Sequence, residues 1–289
     1  MKEPFQKDDA FLADVRSTRE LRDGSFRLWW LGQSGFLLQF DRRHVLFDPY
    51  LSDSLTLKYA NTDKPHTRST ERVVDPERLA FLVDAVTSSH SHTDHLDADT
   101  LRPIVRLKDR AHEDLTLFLS PANEGVAGER LRGALPCFWT IDVGESQRYG
   151  KFEFTAVPAA HPDLATDADG DPLYVGFVVK FGRWTVYHSG DTKLYDGMAD
   201  LLRPFKVDVA LLPINGDRPE RRVAGNLSGG EAARLAKEIG AKIVIPCHYD
   251  MFEFNTADPA HEFIPECERI GQKYRVLRQG ERWSSDELT

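Results

Sequence analysis

Residues 90–95 read His-Ser-His-Thr-Asp-His. Few folds accommodate four side chains with lone pairs to donate within six residues. A short β-strand is expected at 85–88, and the hexapeptide leaves its end. Side chains at i and i+2 of an extended segment point the same way, so His90 and His92 can grip one cation. Asp94 and His95 are neighbours and converge only if the chain turns, and they then face a second position beside the first. The segment therefore offers ligands for two ions, and the fold must bring other strand ends to meet it.

Three residues are suited to complete such a centre, because loops at strand ends converge on one edge of a sheet. His161 follows an expected strand at 152–157. Asp191 follows one at 184–188 through Ser189 and Gly190, and its two oxygens can bridge two ions. His248 follows one at 242–245 and Pro246. Further strands are expected at 26–40, 44–47, 115–119, 137–143, 173–181, 207–214 and 274–277. Gly32 and Gly35 mark a bulge or a close backbone approach.

Helices are fewer. Phe11, Leu12, Val15 and Leu21 have roughly helical spacing after Asp8 and Asp9. Asp75-Pro76-Glu77 is a helix start. Ser228-Gly229-Gly230-Glu231 has the form of a capping box, with Gly240 ending that helix, and a last helix spans about 259–270. The segment 51–74 has little periodicity and is long for a loop, which suits a lid over a site. The class is mixed α and β, and no linker interrupts it. The chain reads as one domain, 1–289, with residues 1–25 as an N-terminal helical extension.

The 289 residues carry 46 acidic and 37 basic side chains, a net charge of −9. That balance disfavours a nucleic-acid partner, which needs a basic footprint. No apolar run reaches the length of a membrane span, and residues 1–20 are too charged for a signal peptide. Cys137, Cys247 and Cys267 are odd in number and widely spaced, so no disulfide framework is expected. The expectation is a cytoplasmic protein, with homo-oligomerisation left open. Other catalytic motifs fail. Gly32-Gln33-Ser34-Gly35 is no nucleophile elbow. Thr116 and Pro265 stand where His112-Glu113 and His261-Glu262 would need a second histidine.

The order HxHxDH, then His161, then Asp191, then His248 resembles the metallo-β-lactamase superfamily, as does Asp48 at the end of Val45-Leu46-Phe47-Asp48-Pro49. Trp29-Trp30-Leu31-Gly32, Tyr187-His188-Ser189-Gly190-Asp191-Thr192 and Ile245-Pro246-Cys247-His248-Tyr249-Asp250 look like its L-ascorbate-6-phosphate lactonase branch and related hydrolases. The resemblance runs from about Trp29 to Trp283. It implies a four-layer αββα sandwich. One ion would take His90, His92 and His161, and the other Asp94, His95 and His248, with Asp191 bridging. Asp48 would orient a ligand histidine from behind.

A His/carboxylate donor set suits Zn²⁺, Mn²⁺ or Fe²⁺, and the resemblance favours Mn²⁺ with Zn²⁺ close behind. Two such ions acidify a shared water into a nucleophile, and Asp94 could orient it or carry a proton. The expected activity is hydrolysis of a lactone or ester of a small, anionic, phosphorylated sugar acid. The alternatives are a phosphodiesterase acting on a phospholipid headgroup or RNA, and a non-hydrolytic di-iron or metal-binding protein. His188 is a further candidate for proton transfer. Asn215 and Arg218, with Arg221 and Arg222 nearby, Lys64 and Arg68, with Lys58 and His66, and Tyr249 are candidates for substrate contact. Cys247 reads as a small buried apolar residue.

Overall fold

The computed structural model describes residues 1–17, 24–134 and 136–288. Leu21, expected on the first helical face, lies outside them. In chain order the helices are α1 (Asp8–Ser17), α2 (Ser54–Tyr59), α3 (Ala98–Arg110), α4 (Pro121–Arg130), α5 (Met198–Leu202), α6 (Gly229–Glu238) and α7 (Phe263–Ile270). The strands of one sheet are β1 (Phe26–Gly32), β2 (Gly35–Phe40), β3 (Arg43–Phe47), β4 (Ala85–Thr87), β5 (Thr116–Leu119), β6 (Cys137–Thr140) and β13 (Arg282–Ser284). Those of the other are β7 (Ser146–Tyr149), β8 (Phe152–Pro158), β9 (Val175–Phe181), β10 (Trp184–His188), β11 (Val209–Pro213) and β12 (Ile243–Cys247).

The sheet orders are β13-β1-β2-β3-β4-β5-β6 and β12-β11-β10-β9-β8-β7. Strand periodicity explains how four layers arise. In β1, Phe26, Leu28 and Trp30 belong to the core shared with Phe154, Phe177 and Val186 of the other sheet. Their alternate neighbours Trp29 and Leu31 pack instead with Phe11 and Val15 of α1 and Leu101 and Ile104 of α3. A sheet buried on both faces needs a helix layer on its outer side. The second sheet obtains its layer from α6 and α7, through residues such as Leu235 and Phe263. The αββα architecture is thus the one the resemblance implies.

Several boundaries differ from expectation. The run 26–40 is two strands, because the chain reverses at Gln33 and Ser34; Gln33 takes a positive φ of 50°, and the β1–β2 register shifts at Gly32. The strand expected at 274–277 is reduced to an isolated bridge between Tyr274 and Val244. The edge strand is β13 instead. Helices α3 and α4 are not among the expected elements; α3 is capped by Asp97 and buries Leu101, Ile104 and Val105 despite Pro103 within it, and α4 buries Asn123 and Ala127. The segment 51–74 contains α2, and Arg68 bridges to Phe252, so it is anchored at both ends. The capping box of α6 is complete, with Ser228 and Glu231 each satisfying the other's backbone N–H. No described helix is long and apolar enough to cross a membrane.

Strands β3, β4 and β5 run parallel, as do β10, β11 and β12. Their C-terminal ends open on the same rim, and the hexapeptide and its expected partners lie there.

Candidate metal centre

The hexapeptide leaves β4 in extended form and then turns. The amides of His95 and Leu96 donate to the His92 carbonyl at 3.1 and 2.9 Å. This turn swings Asp94 and His95 back beside His90. Opposite it, the loop after β10 comes very close. Gly190 has a φ of +59°, and a Cβ there would sit 2.4 Å from Ser89 Cβ. Only glycine lets the β10 loop bring Asp191 against the hexapeptide.

The structure brings all seven expected side chains into one cluster. Donor atoms of His90, His92 and His161 lie within 4.8 Å of one another, as do those of His90, His95 and Asp191, and those of Asp94, His95 and His248. Asp191 Oδ2 sits centrally, 3.4 Å from His95 Nε2, 3.6 Å from His161 Nε2 and 3.2 Å from His248 Nε2. His90 Nε2, His95 Nε2 and Asp191 Oδ1 are buried with no hydrogen-bond partner. Buried polar atoms are rarely left so. Imidazole nitrogens and carboxylate oxygens converging in this way are a donor set that fits divalent cations.

The far sides of the rings are held. His161 Nδ1 donates to the Gly225 carbonyl at 2.9 Å, which leaves the Nε2 lone pair facing the cluster. Ser89 Oγ lies 3.0 Å from His90 Nδ1 and donates to Asp48 Oδ2. Asp48 and His248 both hold positive φ, 36° and 64°. Such backbone conformations persist where the surrounding structure enforces them, and they cluster at functional sites.

Burial pushes His90 well below the ordinary imidazole range, and the neighbouring rings of His95, His92 and His161 push the same way. Burial likewise lowers His92 and His161. Burial also opposes charge on His95, but the carboxylates of Asp191 and Asp94 outweigh it and raise His95 well above its usual value. Burial disfavours ionised Asp191 and Asp94 as well; His248 and His95 overcome this and hold both carboxyls below the usual range. His90, His92 and His161 are thereby biased toward the neutral form beside ionised carboxylates, and His95 toward the protonated one.

A cavity of about 400 Å³ opens onto the cluster. The expected substrate residues mostly lie elsewhere. Tyr249 turns inward: its ring stacks on Trp30 at 4.2 Å and its hydroxyl donates to the Leu277 carbonyl. Arg68 is buried, bonded to Asp53 and to the carbonyls of Ser52 and Thr70, and so anchors its segment. Asn215 is buried behind the wall, donating to Asn255 and accepting from Asn226. Arg218 is exposed, and neither it nor Lys64 lines the cavity. His188 is also removed from it. Its ring stacks on Phe47, and its Nε2 donates to the Ser34 carbonyl at 2.8 Å. Lys58, His66 and Arg222, named among the same candidates, do line the cavity.

Gln33 and Arg130 are among the lining residues that no expectation from the sequence placed there. Gln33 donates to Asp94 Oδ2 at 2.9 Å, and its backbone carbonyl accepts the His248 amide at 2.9 Å. The bracketing glycines 32 and 35 were the available signal. Arg130 lines the opposite wall, and nothing local in α4 marked it. Cys247 is buried, as expected of a small apolar residue.

Comparison with known proteins matches residues 43–249 to the beta-lactamase superfamily domain. A UPF0173 metal-dependent hydrolase of Opitutus terrae is 31% identical over 264 residues, covering 88% of this chain and 98% of that protein. A probable L-ascorbate-6-phosphate lactonase, UlaG, of Escherichia coli is 25% identical over 283 residues, covering 88% of this chain and 78% of that protein. Among solved structures, an isothiocyanate hydrolase from Delia radicum gut bacteria superposes with a TM-score of 0.70 at 19% identity, covering 89% of this chain and 98% of that one. That last likeness is one of fold.

Proposed function

The chain belongs to the beta-lactamase superfamily and is a metal-dependent hydrolase, and from that premise we propose that it opens a lactone or related ester of a small anionic acid at a binuclear centre. His90, His92 and His161 would hold one divalent ion, and Asp94, His95 and His248 the other, with Asp191 between them. The observation that carries this reading is the convergence of three imidazole nitrogens on Asp191 Oδ2, with His90 Nε2, His95 Nε2 and Asp191 Oδ1 buried there without a hydrogen-bond partner.

Bound divalent ions supply Lewis acidity and bring the pKa of water toward neutrality. The protein's own residues do the rest. Asp48 and Gly225 fix the ring orientation of His95 and His161, so little reorganisation accompanies binding. Asp94 is ionised and held by the Gln33 amide, which suits it to orient an attacking water or to receive its proton at Oδ2. Leu55, Tyr59 and Phe252 form an apolar wall that keeps bulk water from the ester. Lys58, Arg130 and Arg222 give the cavity a cationic lining on a chain of net charge −9, which favours an anionic substrate. Likeness to a probable lactonase supports the ester class.

The test is elemental analysis of protein purified without added metal, paired with a panel of lactones set against bis-p-nitrophenyl phosphate. About two equivalents of Mn, Zn or Fe together with lactone turnover is the expected result. Turnover of the phosphodiester alone would overturn the ester reading, and metal-free protein with full activity would overturn the metal centre.

A further inference from the structure

We infer that Arg130, with the hydroxyls of Ser91 and Thr93, forms a subsite for an anionic group of the substrate, a carboxylate or a phosphate, set apart from the ester. This rests on the reading of the cavity as the place where an ester binds.

Arg130 ends α4 and is half-buried. Its Nη1 is fixed by two carbonyls of the hexapeptide turn, those of Ser91 and of Leu96, the latter at 3.2 Å. The guanidinium carries five donors in a planar fork, so three remain for the cavity it lines. Among the described residues no carboxylate forms a close ion pair with it; Asp97 and Glu129 act on it only from a distance, and burial still outweighs them. The other cations of the lining differ. Arg222 is paired with Asp63 at the surface, and Lys58 lies over the Tyr59 ring at 5.1 Å. A half-buried charge without a directly paired carboxylate is costly, and an anionic ligand group would supply the missing partner. Ser91 and Thr93 line the same cavity, flanking His92, and their hydroxyls add donors of the kind that bind carboxylate or phosphate oxygens. The carbonyls that orient Arg130 belong to the turn carrying His92 and Asp94, so the anion and the ester would be held at a set separation. That is how an enzyme turns remote binding energy into positioning.

The experiment compares wild type, Arg130→Met and Arg130→Lys on two matched pairs. One is γ-butyrolactone against its γ-carboxylate, and the other is δ-gluconolactone against its 6-phosphate. Metal content and thermal midpoint are measured on each protein. Wild type should prefer the anionic member of one pair by about tenfold or more in kcat/KM, and that pair identifies carboxylate or phosphate. Arg130→Met should lower that preference about tenfold, through KM, with Arg130→Lys between. Equal preference ratios in wild type and variants, or no preference in wild type, overturn the subsite. If no lactone is turned over, the ester reading fails. The subsite is then decided by calorimetric titration of the metal-loaded proteins with succinate and inorganic phosphate. Weaker binding of either by Arg130→Met supports it, and unchanged binding refutes it. Should Arg130→Met fail to fold, Arg130→Lys carries both comparisons.

Discussion

Asp48 Oδ2 lies 2.6 Å from His95 Nδ1, and both side chains are fully buried. The carboxylate sits behind the ring, fixes which nitrogen carries the proton and turns Nε2 toward Asp191. Asp48→Asn keeps the shape but removes the charge that makes the imidazole a better donor. We expect about a 10- to 100-fold loss of metal affinity, read by competition titration with a chromophoric chelator. Unchanged affinity would show that Asp48 only fills space.

Asp191 is the carboxylate common to both halves of the cluster. Asp191→Ala should reduce kcat/KM to about a hundredth of wild type or less, a loss of ~2.7 kcal/mol or more. His92→Ala should act in the same direction. Metal content should fall with activity while the circular dichroism spectrum is kept. Either variant with full activity would contradict the assignment of the centre.

Gly190 is the contact point between the β10 loop and Ser89. Gly190→Ala combines a left-handed φ with a Cβ 2.4 Å from Ser89 Cβ. A destabilisation of about 1–3 kcal/mol is expected from the backbone alone, and displacement of Asp191 should lower metal content as well. Chemical denaturation measures the first effect and elemental analysis the second. A stable variant with full metal content would mean that the loop relaxes freely.

Tyr249 tests the opposite case, a residue beside His248 that faces away from the cavity. Tyr249→Phe removes the hydrogen bond to the Leu277 carbonyl. That should cost about 1–3 kcal/mol of stability through the unpaired acceptor, with kcat/KM within about twofold of wild type. A large catalytic defect without loss of stability would restore Tyr249 to the substrate site.

Glu266 of α7 accepts hydrogen bonds from Arg269 of its own helix and from Arg234 of α6, and these hold its carboxyl down at about 2. A carboxyl depressed on folding contributes stability above its unfolded value of 4.5. The contribution fades as pH falls from there toward 2. The difference in thermal midpoint between wild type and Glu266→Gln should be present at pH 6 and should shrink steadily below pH 4.5. A difference independent of pH would rule out the ionic origin.

Local pattern carried much of this. Strand ends could be found from apolar runs because strands buried on both faces read as continuous apolar segments. The hexapeptide announced its chemistry because metal-competent residues at i and i+2 are informative even without neighbours. Asp191 and His248 were recognisable because each follows a strand whose apolar run stops abruptly. The side-chain chemistry and the mixed α and β class were thus written in linear order, while the αββα layering was what the family resemblance implied.

What linear order did not carry was the direction in which each polar side chain points. Tyr249, Arg68 and Asn215 look like substrate residues until packing shows them bonded to Leu277, Ser52 and Asn255. Gln33 lay hidden inside a run that reads as one strand, and it reaches Asp94 only because the hairpin folds back onto the rim. Arg130 comes from a helix with little local propensity, and its guanidinium meets the Ser91 carbonyl 39 positions away. These contacts join segments remote along the chain. They are selected by how two sheets and their helices close around a shared core, a many-body outcome that no window of neighbouring residues encodes.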